Sequence, residues 1–117
     1  MKRKNCCPIA QALGVLGDKW SLIVLRDVIF GKKRHFNDLL ASPEKISTNI
    51  LSNRLKTLQE ESLLCCSVDL ENRRSKIYTP TEKAQDLVPV LVELYKWGEK
   101  YNDRADTAEN LMQDEPF

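Results

Sequence analysis

The chain has 117 residues, enough for one hydrophobic core, since a domain of this size buries about two-thirds of the surface its unfolded chain exposes. Hydrophobic residues at 42% and charged residues at 30% exclude a disordered or membrane-embedded class, and the apolar runs Leu22 to Leu25 and Val28 to Phe30 fall far short of the about 20 residues of a bilayer span. The net charge of +1 conceals an asymmetry: residues 1 to 76 carry 14 Lys+Arg against 8 Asp+Glu, whereas residues 77 to 117 carry 4 against 9.

The basic start Lys2-Arg3-Lys4 runs into Pro8 and Gln11 rather than an apolar stretch, so no secretory signal is expected and the cytoplasm is the expected location. Cys6-Cys7 and Cys65-Cys66 lack the spacer of zinc-ligand pairs, and a reducing compartment disfavours disulfides; no metal site and no cofactor are expected.

Pro8 suits the first position of a helix over residues 8 to 16, with Ile9, Ala12, Leu13 and Leu16 as an apolar stripe and Gly17 at its end. Asp18 is placed to cap a second helix, Lys19 to Phe30, whose apolar residues wrap nearly all round and put it at the centre of the core; Gly31 is the expected stop. The basic loop Lys32-Lys33-Arg34 leads to a short helix around His35 to Ala41 that buries Phe36, Leu39 and Leu40, and Ser42-Pro43 breaks it.

Ser47 can cap the next helix, Thr48 to Glu61, in which Leu51, Leu55 and Leu58 mark a buried stripe that Ile50 widens. Its opposite face is polar and free of acids: Thr48, Asn49, Ser52, Asn53 and Lys56, flanked by Lys45 and Arg54. Leu64 to Asp69 and Lys76 to Thr79 read as two strands joined by a hairpin with a basic tip, Arg73 and Arg74, and adjacent Cys65 and Cys66 alternate across the first strand, which puts one of them in the core. Thr81 caps a last helix running to about Asn102, with Pro89 bending or loosening its first turns. Its apolar surface exceeds what one contact requires, so Leu87, Val90, Leu91, Leu94, Trp97 and Tyr101 are the candidate interface with a second copy of the chain. The segment 103 to 117 is an acidic tail.

Three helices, a fourth with a polar outward face and a basic hairpin follow the order of a winged helix-turn-helix: mainly α with one small β-hairpin, dimerising through its N- and C-terminal helices. A helix fits the major groove of B-DNA, where Ser47, Thr48, Asn49, Ser52 and Asn53 can approach base edges and Arg54 and Lys56 can meet phosphates or guanine. Arg73, Arg74 and Lys76 at the hairpin, and Lys32, Lys33 and Arg34 before the short helix, are candidate backbone contacts. The expected partners are therefore double-stranded DNA and a second copy of the chain, with no membrane and no assignable small-molecule effector. The one histidine, His35, adjoins this basic loop, and no triad, metal-ligand spacing or phosphate-binding glycine loop points to an enzyme. The alternative within the same fold is a winged helix that binds protein instead of DNA.

Cys7-Pro8, Leu16-Gly17-Asp18-Lys19-Trp20, Leu25-Arg26-Asp27 and Phe36-Asn37-Asp38-Leu39 resemble the HxlR family of bacterial transcription regulators. Ile46 to Leu55 is similar to that family's recognition-helix motif, Tyr78 and Thr81-Glu82-Lys83 to its wing-to-helix junction, and Leu87 to Leu91 with Trp97-Gly98 to its dimerisation helix. The resemblance spans about residues 6 to 101 and implies a domain over 6 to 102: a MarR-like winged-helix dimer without enzymatic activity that represses or activates nearby genes, repression being the expected direction, and the two-fold symmetry of such a dimer predicts an inverted-repeat operator. It also implies that Cys7 is a candidate redox or electrophile sensor, its thiolate favoured by Lys2, Arg3, Lys4 and the positive end of the helix beginning at Pro8, with Cys6 a second target or a bystander. Ser62 and Ala84 stand where the family has Gly, and Pro80 where it has an apolar residue.

Overall fold

The computed structural model describes residues 7–102; Lys2-Arg3-Lys4, Cys6 and the acidic segment 103 to 117 lie outside the described residues. The element order is α1 (Pro8–Leu16), α2 (Lys19–Ile29), α3 (Phe36–Leu40), α4 (Thr48–Glu60), β1 (Leu64–Val68), β2 (Lys76–Pro80), α5 (Glu82–Gln85) and α6 (Val88–Tyr101). Among the described residues no helix is long and apolar enough to cross a membrane.

The central position of α2 follows from its sequence. Asp18 caps it, its Oδ2 accepting from the backbone amides of Trp20 at 2.9 Å and Ser21 at 3.0 Å, which satisfies two of the amides that a helix start leaves without partners. Val24, Leu25 and Val28 then enter one core with Leu39, Leu51, Leu55, Leu58, Leu63, Leu64, Tyr78 and Ala84, while Trp20, Leu22 and Ile29 pack against its edge. The helix ends with the Phe30 amide donating to the Arg26 carbonyl at 2.8 Å, and the left-handed residue is Lys32, at φ 54°, not Gly31. Gly31 is required by space instead, because a Cβ there would lie 2.7 Å from the Asp27 carbonyl oxygen.

Below α2, α4 buries Leu51, Leu55 and Leu58, as the 3.6-residue period demands, and Ser47 caps it by accepting from the Ile50 amide at 3.2 Å. Its C-terminal end turns at Ser62, which takes φ 62°. This is the position where the resemblance anticipates Gly, and the left-handed backbone is the physical reason.

The hairpin is antiparallel, with Leu64 opposite Pro80, Cys66 opposite Tyr78 and Val68 opposite Lys76. Cys66 and Tyr78 share the inward face, so Cys66 packs on the core and Cys65 is exposed. At the tip, Asp69 Oδ1 accepts from the Glu71 amide and Asn72 Oδ1 from the Arg74 amide, two local side-chain turns that carry the chain round.

The single helix expected from Thr81 to Asn102 is divided. Thr81 caps α5 by accepting from the Ala84 amide at 3.1 Å, the chain breaks at Asp86 and Leu87, and α6 begins anew with Pro89 in its first turn. Pro89 has no N–H to offer the preceding turn and its ring crowds that turn's carbonyl, so the helix restarts there rather than bending.

Candidate nucleic-acid interface

The buried stripe of α4 fixes what faces out. With Leu51, Leu55 and Leu58 inside, Thr48, Asn49, Ser52, Asn53 and Lys56 are all exposed along the opposite side, and Ser47 is exposed at the helix start. They form one strip of hydroxyls, amides and an ammonium with no carboxylate. Lys45 is exposed beside it, and Arg73, Arg74 and Lys76 are exposed on the wing.

The wing is tied to the helix-turn-helix at two points. The Tyr78 amide donates to the Arg34 carbonyl at 2.8 Å, and His35 Nε2 lies 3.1 Å from Asp69 Oδ2. The Glu71 amide first, and His35 next, hold the Asp69 carboxyl below its ordinary range. Between α3 and the wing these ties leave a cleft of about 240 Å³ lined by Phe36, Asn37, Arg74, Ser75, Lys76 and Tyr78. Neither Asn37 nor Ser75 stands out in the sequence as a site residue, because the cleft joins segments almost 40 residues apart.

Three of the expected cationic contacts are engaged within the chain. Arg34 donates to the Val28 carbonyl and, at 3.3 Å, to that of Lys33; Lys33 lies 3.9 Å from Asp27; both side chains are half-buried. Arg54, also half-buried, donates Nε to Asp18 at 2.7 Å and Nη1 to Asn53 Oδ1. Lys32 alone of the 32 to 34 run is exposed. The cationic surface presented outward is therefore Lys32, Lys45, Lys56, Arg73, Arg74 and Lys76, and the other three arginine and lysine side chains brace the frame that carries it.

A second network positions α4 from its N-terminal side. Arg26 on α2 holds both carboxylate oxygens of Glu44, at 2.8 and 2.9 Å, and Asp27 at 2.8 Å, and the Ser42 hydroxyl donates to Glu44 at 2.9 Å. The turn between α3 and α4 is thus fastened to the central helix. The Arg26 guanidinium holds the Glu44 carboxyl at about 2, whereas burial pushes Asp27 up in spite of the same neighbour.

On α6 the expected dimer residues fall into two groups. Leu91 is buried in the chain's own fold and Leu87 packs against the core, so these two support the helix rather than present a surface. Val90, Leu94, Trp97 and Tyr101 are exposed, Trp97 at 66%, and Trp97 and Tyr101 pair with ring centroids 5.6 Å apart. Pro89, Val90, Glu93, Leu94 and Trp97 line an open groove of about 700 Å³. On α1, Ile9 and Leu13 are exposed as well, and Cys7 stands exposed at its N-cap. Among the described residues no cluster of His, Cys, Asp and Glu could hold a metal ion.

Comparison with known proteins agrees with this arrangement. The family of HxlR-like helix-turn-helix proteins matches over residues 15–106. The HTH-type transcriptional regulator YdeP of Bacillus subtilis is 35% identical over 103 residues, covering 88% of this chain and 80% of YdeP. Among solved structures, the candidate transcription factor PA1607 superposes with a TM-score of 0.77 at 34% identity, covering 88% of this chain and 70% of that one. The reduced form of the transcriptional regulator YodB from B. subtilis superposes with a TM-score of 0.65 at 26% identity, covering 85% and 97%.

Proposed function

Because the chain belongs to the HxlR-like helix-turn-helix family and is on that ground a DNA-binding transcription regulator, we propose that it acts as a cytoplasmic homodimer that reads an inverted-repeat operator through α4 and represses the genes beside it. The domain that does this is residues 6 to 102. The observation that carries the reading is the acid-free outward strip Thr48, Asn49, Ser52, Asn53 and Lys56, set beside a wing whose exposed side chains include Arg73, Arg74 and Lys76. Short hydroxyl and amide side chains suit base edges in the major groove, and the wing cations suit the backbone or the adjacent minor groove. A protein-binding module has no need of such a strip.

Dimerisation is supported by the exposed Val90, Leu94, Trp97 and Tyr101, an apolar surface that a monomer would leave in water. A two-fold dimer then sets the half-sites about one helical turn, or a multiple of it, apart. Cys7, exposed at the start of α1, is the residue through which an oxidant or electrophile would act, a reading supported by structures of YodB in reduced and quinone-bound forms.

The test is binding to the DNA upstream of the protein's own gene, to a scrambled duplex and to one half-site, with the number of chains per duplex measured. Two chains on the full site, with affinity falling as about the seventh power of salt for about 8 neutralised phosphates, is the expected result. One chain per duplex, or equal affinity for all three duplexes, would refute it.

A further inference from the structure

One amide on the outward face of α4 is held by a side chain anchored at the start of α2. Arg54 carries only N–H donors, so the atom of the Asn53 amide that meets its Nη1 is the oxygen, Oδ1. Arg54 is itself held by its Nε, which donates to Asp18 Oδ2 at 2.7 Å. Asp18 has no freedom to follow: the same carboxylate caps α2 through the Trp20 and Ser21 amides and accepts from the Ser21 hydroxyl at 2.6 Å. Partial burial works to raise the Asp18 carboxyl, but the Ser21 hydroxyl, Arg54 and the two amides prevail and hold it at about 2, so it stays ionised.

An asparagine whose amide can turn over reads adenine with two bonds, Nδ2 donating to N7 and Oδ1 accepting from N6. The Arg54 bond uses one of the two lone pairs of Oδ1 and fixes which way the amide lies, so Nδ2 carries the two donors that remain for a base edge. The major-groove edge that offers two acceptors, N7 and O6, is that of guanine. Resting on the reading that this face of α4 enters the major groove, we propose that Asn53 selects guanine at one position of the operator half-site, and that Arg54 is a positioning residue acting through Asn53 rather than a phosphate contact. The chain Asp18, Arg54, Asn53 links positions 36 residues apart and ties the amide to the start of α2.

Selection of bound duplexes from a randomised library, by wild type, Asn53→Ala and Arg54→Ala, tests this, with thermal unfolding as the check on folding. Wild type is expected to require G·C at one position whose preference disappears in Asn53→Ala while other positions keep theirs. Arg54→Ala, its neighbouring amide released, is expected to admit A·T there, shifting the G·C over A·T ratio about tenfold. If Arg54→Ala does not fold, 7-deazaguanine at that position, bound by wild type, decides: a loss of roughly threefold or more is expected. A wild-type requirement for A·T at the Asn53 position would overturn the proposal. So would Asn53→Ala leaving every preference intact, no effect of 7-deazaguanine, or an Arg54→Ala protein that keeps G·C but loses about one from its salt slope, the mark of a phosphate contact. A wild type that enriches no sequence would overturn the reading of α4 itself.

Discussion

Replacing Glu44 by Gln perturbs the fastening of the α3 to α4 turn without changing its shape. Glu44 accepts two bonds from Arg26 and one from Ser42; the variant keeps one oxygen and turns an NH₂ group towards a guanidinium that has only donors. A carboxyl held at about 2 against an ordinary 4.5 corresponds to roughly 3 kcal/mol. Its side chain is 25% exposed and water screens the pair, so we expect about half of that, ~1.5 kcal/mol, at pH 7. The sign follows from the lowered value: the contribution is present in full above 4.5 and is lost as pH falls through about 2, more than half of it by pH 3. Asp27, pushed up by burial, works in the opposite direction, and because the Glu44 charge adds to that push, its removal in Glu44→Gln offsets a small part of the gap. Urea unfolding of wild type and Glu44→Gln at pH 7 and pH 3, at one protein concentration because the stability of any chain that self-associates depends on it, measures the gap. A gap near 1.5 kcal/mol that shrinks by more than half at pH 3 is expected. An equal gap at both pH values would show that shape, not charge, holds the turn and would refute the reasoning.

Leu58→Ala, in the centre of the buried stripe of α4, is expected to lower unfolding stability by about 3 kcal/mol in the same assay, whereas exposed Ser52→Ala should change it by less than about 0.5. Ser62→Gly removes a side chain from a left-handed residue; the relief exceeds the added freedom of the unfolded chain, so a gain of roughly 0.5 to 1 kcal/mol should appear as a raised midpoint. Trp97→Ala takes the largest exposed apolar group from α6 and is expected to weaken self-association at least about tenfold in sedimentation equilibrium, with little change in helix content by circular dichroism.

Local physics made most of this fold legible before any coordinates. The caps at Asp18, Ser47 and Thr81, the leucine stripe of α4 and the alternating Cys65 and Cys66 are each decided within a few residues, and each of these stands where its own sequence placed it. The division at Leu87 was harder to see, because Pro89 is compatible both with a bent helix and with a fresh start, and only the short α5, anchored through its buried Ala84, favours the second. Long-range pairing was not legible at all. Nothing near Arg54 or Arg34 in sequence distinguishes them from Lys56 or Arg74, yet the first two end against Asp18 and the Val28 carbonyl while the others face outward. A count of basic residues around α4 therefore overstates the cations it presents outward, and the surplus belongs to the frame.

The most direct test of the central claim, that the outward strip of α4 reads bases, is the affinity of wild type and Asn49→Ala for the cognate operator and for a scrambled duplex at matched salt. The expected result is a loss of about tenfold on the cognate duplex alone, since a base contact is worth about 1 to 3 kcal/mol and carries no weight where there is no sequence to read. Equal losses on both duplexes, or no loss on either, would contradict it.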